Sequence, residues 1–214
     1  MLMLSNLISM SKWISQQKGT DTLNDFFSWG RVYAKRYQLY DFVLQKMQLQ
    51  DKPIDYIEMG VCGGDSFKWW LQHNTNSEST FYGFDTFEGL PESWGAFDKG
   101  DMAAGVPQLD DQRAYFIKGL FQQSLPSFLA EGKLKKDKLR IIHLDADLFS
   151  STLFSLTALA PYLKVGDILM FDEFNVPTHE YQAFKIFCES YYIKTRLIGA
   201  VNNYYQIAVM ITER

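Results

Sequence analysis

Four acidic positions stand where short apolar runs stop. Glu58 follows residues 54–57, Asp85 follows 81–84, Asp145 follows 139–144, and the pair Asp172-Glu173 follows 167–171. An apolar run ending in an acid reads as a buried strand delivering a carboxylate to a sheet edge, and four such deliveries to one edge are unlike chance. Three side-chain oxygen donors, from Asp145, Asp172 and Glu173, suit a hard divalent cation such as magnesium or calcium. They do not suit a structural zinc site, which takes Cys and His. A hydroxyl held on such an ion gives up its proton more readily. Asp85 lies some twenty residues past the glycine turn at 60–64, the place of an acid that binds ribose hydroxyls. In that turn, Gly60, Gly63 and Gly64 let the backbone approach a ligand closely, and the helix start behind it favours an anionic group. The spacing is Glu-x-Gly-x-x-x-Gly, not the Gly-x-Gly-x-x-Gly of dinucleotide binders.

Other candidates are more ordinary. His143 alternates with Asp145 on an interior strand and reads as a hydrogen-bonded core histidine. His179 opens a helix beyond the acids and is the better base candidate, with Glu180 beside it a further ligand or a first-turn acid matching the helix dipole. Asp147 is expected to cap the helix after Asp145. His73 ends a helix and reads as surface, and Trp69 and Trp70 as core. Cys62 sits in the glycine turn with no His or Asn pattern to make it a nucleophile.

The elements that position these groups follow from periodicity. Residues 1–52 read as an N-terminal helical segment. Helices are expected over about 6–18, ended by Gly19-Thr20-Asp21, then over 22–28 with Leu23, Phe26 and Phe27 on one face, and over 31–48, where Tyr33, Tyr37, Tyr40, Leu44 and Met47 share a face. Its expected role is packing on the sheet, with a lid or a homodimer contact as the alternatives. From residue 53 to 214 strands and helices alternate. Seven strands are expected, at 54–58, 80–85, 114–118, 139–145, 167–171, 195–199 and 205–212, the last two a hairpin about Asn202-Asn203. Helices are expected over 65–72, from Ser124 as cap to 131, over 151–163 and over 179–191. Alternation with apolar strands predicts an α/β, Rossmann-like, doubly wound sheet, mostly parallel, with helices on both faces. Ligands then bind beyond the carboxyl ends of the strands. The long irregular stretch 86–111, with Trp94 and Phe97, is of a length that is usually functional; those rings could cover a ligand or pack on the domain.

The 214 residues suffice for one domain with a large core. A net charge of −4 argues against a nucleic-acid footprint. No apolar run reaches membrane-span length, and the apolar start lacks the basic residues and cleavage site of a signal peptide. Two distant cysteines, Cys62 and Cys188, form no disulfide framework and fit a reducing cytoplasm.

Together the motifs resemble a class I S-adenosylmethionine-dependent methyltransferase, and within that class the macrocin O-methyltransferase (TylF-type) family. The likeness rests on Glu58-Met59-Gly60-Val61-Cys62-Gly63-Gly64, on Gly83-Phe84-Asp85-Thr86-Phe87-Glu88-Gly89-Leu90-Pro91, on Lys118-Gly119-Leu120-Phe121 before Ser124-Leu125-Pro126, on Asp145-Ala146-Asp147-Leu148-Phe149-Ser150-Ser151-Thr152, and on residues 166–174. It covers about residues 54–212. The resemblance implies that Glu58, Gly60 and Gly64 bound the methionine end of S-adenosylmethionine, with Ser66 near its carboxylate. It implies that Asp85 and Thr86 hold the ribose region, with Phe87 near the adenosine, and that Asp145, Asp172 and Glu173 take a divalent cation. Asp145 or His179 would serve as base. The implied activity is metal-dependent O-methylation of a hydroxylated small molecule such as a sugar or natural product, with neither nucleic acid nor membrane as partner. Family members commonly carry two aspartates where this chain has Asp172-Glu173, and its N-terminal part is short. A nicotinamide oxidoreductase on a similar sheet and a non-catalytic cofactor-binding or interaction protein are the competing readings.

Overall fold

β1 (Leu23–Asn24), β2 (Ile54–Met59), β3 (Thr80–Asp85), β4 (Ala114–Lys118), β5 (Leu139–Leu144), β6 (Ile168–Phe171), β7 (Lys194–Val201) and β8 (Gln206–Glu213) form one sheet in the order β1-β7-β8-β6-β5-β2-β3-β4. They belong to a computed structural model that describes residues 2–17, 19 and 21–214. Every neighbouring pair is parallel except β8, which runs antiparallel to β6 and β7. All six residues of β2 are buried, as a central strand covered on both faces requires.

Two cores flank the sheet. Ile57 and Met59 of β2 point into one with Phe121, Leu125, Leu156 and Phe184, from α4 (Phe121–Ala130), α5 (Phe149–Leu159) and α6 (Glu180–Tyr191). α1 (Leu2–Gln16) lies over α6 on this side, with Trp13 5.1 Å from the ring of Phe174. Ile54 and Tyr56 point into the other core with Leu39, Tyr40, Val43, Phe67 and Trp70, from α2 (Lys35–Lys46) and α3 (Asp65–His73). The chain leaves β2 for β3 and β4 on one side and returns as β5 on the other. The crevice between the ends of β2 and β5 is therefore the switch point where such sheets bind ligands.

The sheet has eight strands, not seven. Residues 22–28 do not form the expected helix: Leu23 and Asn24 pair with Gly199 and Ala200 of β7. A side chain at position 199 would crowd Leu39 Cδ1 at 2.9 Å and Leu23 Cβ at 3.1 Å, so Gly199 admits this close approach. The next helix begins at Lys35 rather than Arg31. Ser124 lies inside α4 and its hydroxyl donates to Leu120 O, so it is not the cap. Asp147 likewise precedes the cap position of α5, which Leu148 takes, with no side-chain capping bond. β2 runs one residue past Glu58, and β6 starts at Ile168. The hairpin forms as expected, with Asn202, Asn203 and Tyr204 all at positive φ. The expected helix end at Lys18 and the centre of the break at Thr20 fall outside the described residues. Among those described, both cysteines are free and no helix is long and apolar enough to cross a membrane.

Candidate active site

The glycine turn is fixed by its neighbours. Gly60 has φ of +96°, and a Cβ there would stand 1.9 Å from the carbonyl oxygen of Asp145, so the ends of β2 and β5 meet only because the residue is glycine. Asp85, at the end of β3, fastens the turn. Its Oδ2 accepts the backbone N–H groups of Val61 and Cys62 at 2.8 Å each, and its Oδ1 accepts that of Phe87 at 2.8 Å. An ionised carboxylate has further acceptor sites, and Asp85 keeps a place on the wall of a cavity of about 360 Å³.

That cavity runs along the carboxyl ends of the strands. Gly60, Cys62, Asp85 and Thr86 line one end, with Leu120, Phe121 and Gln122 beyond β4; Asp145, Asp147, Asp172 and Glu173 line the other. Trp94 and Phe97, stacked at 5.7 Å, stand over it from the 86–111 stretch. Its size suits a small molecule or cofactor.

The acidic end is crowded. One oxygen from each of Asp145, Asp147 and Glu173 lies within 4.8 Å of the others, and a second such group joins His143, Asp145 and Asp172. Asp147 reaches the cluster from a left-handed backbone, φ +57°. Glu180, at the start of α6, is fully buried and accepts the N–H of Glu173 at 2.9 Å. Burial, reinforced by mutual repulsion, pushes Asp145, Glu173 and Glu180 well above the usual carboxylate range. The same two causes push Asp147 up to about 6.

One buried cation answers this charge. Arg36, in the first turn of α2, pairs with Asp172 through Nη2, and its Nη1 lies 3.8 Å from Asp145. Its guanidinium sits 4.1 Å over the ring of Tyr33 and donates to the Tyr33 hydroxyl at 2.9 Å. Arg31 stacks 3.8 Å over Tyr205, whose hydroxyl donates to Glu173 Oε1 at 3.2 Å. Asp172 Oδ1, Glu173 Oε2 and Glu180 Oε1 remain buried without a hydrogen-bond partner. The oxygens of Asp145, Asp147 and Glu173, within 4.8 Å of one another and with Glu173 Oε2 among the unpartnered atoms, are a donor set that fits a divalent ion, whereas Asp172 is taken by Arg36.

Behind the wall runs a buried polar chain. Tyr56 donates to Glu58 Oε2 at 2.7 Å and lies 2.8 Å from His143 Nδ1; Tyr40 donates to Ser66 Oγ at 3.2 Å, and Arg36 Nη1 donates to the same oxygen at 3.4 Å. Burial, with the positive charge of Arg36, holds His143 down at about 3, so it stays neutral. Burial pushes Glu58 up to about 8.

Of the residues expected from the sequence, Gly60, Asp85, Thr86, Asp145, Asp172 and Glu173 line the cavity. Glu58 and Ser66 lie beneath it in the polar chain, Gly64 caps α3 under Pro107, and Phe87 turns its ring toward Phe116 at 6.2 Å. His179 is half-buried behind Trp94, ring to ring 6.4 Å, and is not on the wall. Arg31, Tyr33, Arg36 and Tyr205 were not anticipated. The one hint was the density of aromatic and basic residues over 31–37, which periodicity assigns to helix packing.

Residues 57–174 match a family described as "Methyltransferase domain". The chain is 27% identical over 169 residues to the 8-demethyl-8-(2,3-dimethoxy-alpha-L-rhamnosyl)-tetracenomycin-C 4'-O-methyltransferase of Streptomyces olivaceus, a match covering 68% of this chain and 62% of that protein. Among solved structures it is similar to CalS11, a calicheamicin methyltransferase, at 20% identity and TM-score 0.65, over 97% of this chain and 91% of the other. It is also similar to the O-methyltransferase NovP, at 22% identity and TM-score 0.60, over 82% and 77%. At these identities the two structures show a shared fold.

Proposed function

Because the chain belongs to the methyltransferase-domain family, we propose that it transfers the methyl group of S-adenosylmethionine to a hydroxyl of a sugar or related natural product, with a divalent cation at the acidic end of the cavity. The observation that carries this reading is the single cavity joining the Asp85-fastened glycine turn to the carboxylate cluster. A donor at one end and an acceptor at the other would face each other there. The curated relative methylates a rhamnosyl hydroxyl by its name, which favours a sugar oxygen as acceptor.

Asp85 and Thr86 would hold the ribose, Gly60 would leave room for the methionine part, and Leu120 to Gln122 would border the adenine. Asp145, Asp147 and Glu173 would hold the cation, while Arg36 pairs with Asp172 and holds it in place. The sulfonium supplies a methyl already activated for displacement, so the chain's task is alignment. A cation at the cluster would lower the pKa of the acceptor hydroxyl. Trp94 and Phe97 would exclude water from the reacting atoms.

Calorimetric titration with S-adenosylhomocysteine, followed by labelled methyl transfer to a panel of glycosides with magnesium or with chelator, tests the proposal. Expected are cofactor binding in both conditions and transfer that falls at least about tenfold with chelator. Asp145→Asn should bind S-adenosylhomocysteine and lose transfer. No binding of S-adenosylhomocysteine would overturn the reading, and transfer indifferent to chelation and to Asp145→Asn would overturn the role of the cation.

A further inference from the structure

The acidic end of the cavity offers two overlapping sets of donors, and Asp145 belongs to both. One set is Asp145, Asp147 and Glu173; the other is His143, Asp145 and Asp172. In the first, Glu173 Oε2 is buried and has no partner. In the second, His143 has Tyr56 2.8 Å from Nδ1 and Tyr40 3.5 Å from Nε2, and Asp172 Oδ2 is taken by Arg36 Nη2.

Arg36 is a built-in part of this second set. It is 4% exposed, and the residues that follow it in α2, Leu39, Tyr40 and Val43, are fully buried. Its guanidinium is held by Asp172, by the Tyr33 hydroxyl at 2.9 Å and by Ser66 Oγ at 3.4 Å, with the Tyr33 ring 4.1 Å beneath it. Nη1 stands 3.8 Å from Asp145 Oδ2. A guanidinium keeps its charge throughout the pH range in which proteins fold. A permanent positive charge is therefore lodged beside the carboxylate that the two sets share.

Like charges a few ångströms apart repel strongly where little water screens them. A divalent ion on Asp145, Asp147 and Glu173 would draw on the same carboxylate that Arg36 already approaches. We propose that Arg36 is a tethered competitor of the divalent cation: it stands in for an ion at His143, Asp145 and Asp172, so that the protein takes a single ion, and it weakens the hold of Asp145, Asp147 and Glu173 on that ion. The N-terminal segment thereby sets the cation affinity of a site whose ligands all come from the ends of β5 and β6. Arg36 is a positioning residue in this role, acting through Asp145. An arginine that merely ordered the acids would have the opposite effect, since its loss would let them spread and would weaken binding. The proposal rests on the cation site of the methyltransferase reading above.

Titration of the full chain with manganese tests it, followed by the electron paramagnetic resonance signal of free Mn2+ and by the shift in melting temperature; manganese takes the same oxygen donors. The wild type should bind one ion per chain. Arg36→Gln should bind its tightest ion at least about tenfold more strongly than the wild type, and Arg36→Lys, which keeps the charge, should stay within about threefold of the wild type. Tyr33 is 50% exposed, so Tyr33→Leu is the milder change; by loosening Arg36 it should tighten binding about threefold, and it serves in place of Arg36→Gln if that variant does not fold. Two ions per wild-type chain overturn the proposal. So does binding that is unchanged or weaker in Arg36→Gln, or in Tyr33→Leu where it serves instead. Arg36→Lys binding as tightly as Arg36→Gln also overturns it, because charge would not be the cause. Binding by Arg36→Gln with none by the wild type would uphold the competition and remove the cation from the native reaction. Binding by neither would remove both the competition and the cation, and titration with S-adenosylhomocysteine would then show whether the methyltransferase reading stands without them.

Discussion

A Cβ at Gly60 would meet the Asp145 carbonyl oxygen at 1.9 Å in a backbone conformation that L-residues avoid. Gly60→Ala is therefore expected to lose at least about 2 kcal/mol of stability in urea unfolding. Arg36 and Asp172 form a buried pair, and removing one partner strands the other. Arg36→Met should cost about 3–5 kcal/mol, and the double variant with Asp172→Leu should recover part of it. Glu58 gives a pH signature. Its folded value, about 8, lies above the ordinary 4.5, so between those values the folded state keeps a proton that the unfolded state releases. The associated stability is complete below about pH 4.5 and is lost as pH rises to about 8, at up to about 1.4 kcal/mol per pH unit. The raised acids of the cluster act in the same direction. Glu58→Gln should remove only its own share, seen as a shallower decline of unfolding free energy between pH 5 and 8.

Among the elements, the strands and the helices at 2–16 and 35–46 were legible, and residues 22–28 were not. Asp85, Asp145 and Asp172 could be placed at one edge because each ends a run too apolar to be anything but a buried strand. Residues 22–28 misled because Leu23, Phe26 and Phe27 have helical spacing, yet only Leu23 packs inward, admitted by Gly199 some 175 residues away. Arg36 was invisible for a related reason: a lone arginine in the first turn of an amphipathic helix reads as solvent-facing, and only the tertiary fold brings it to Asp172. The two N-terminal helices should also differ energetically. Leu39 of α2 is fully buried, and Leu39→Ala is expected to cost about 2–5 kcal/mol. Ile8 of α1 is 62% exposed, and Ile8→Ser should stay within about 0.5 kcal/mol in the same unfolding assay.

At the scale of the whole molecule, the acidic cluster is a concentration of charge that the fold tolerates with one fully buried arginine. A cation that binds there and not to the unfolded chain should stabilise the protein, by about 2.7 kcal/mol at a hundred times its dissociation constant. Magnesium should raise the melting temperature of the wild type, and Asp147→Asn or Glu173→Gln should largely abolish that rise. The Asn202-Asn203 hairpin has a separate consequence. By clamping the carbonyl and amide groups of Ser28 and Val32 it fixes the backbone at both ends of this stretch without using its side chains. The exposed side chains at 26, 27 and 29 can therefore be exchanged without loosening the loop, while the carboxylates and the glycine turn stay as they are.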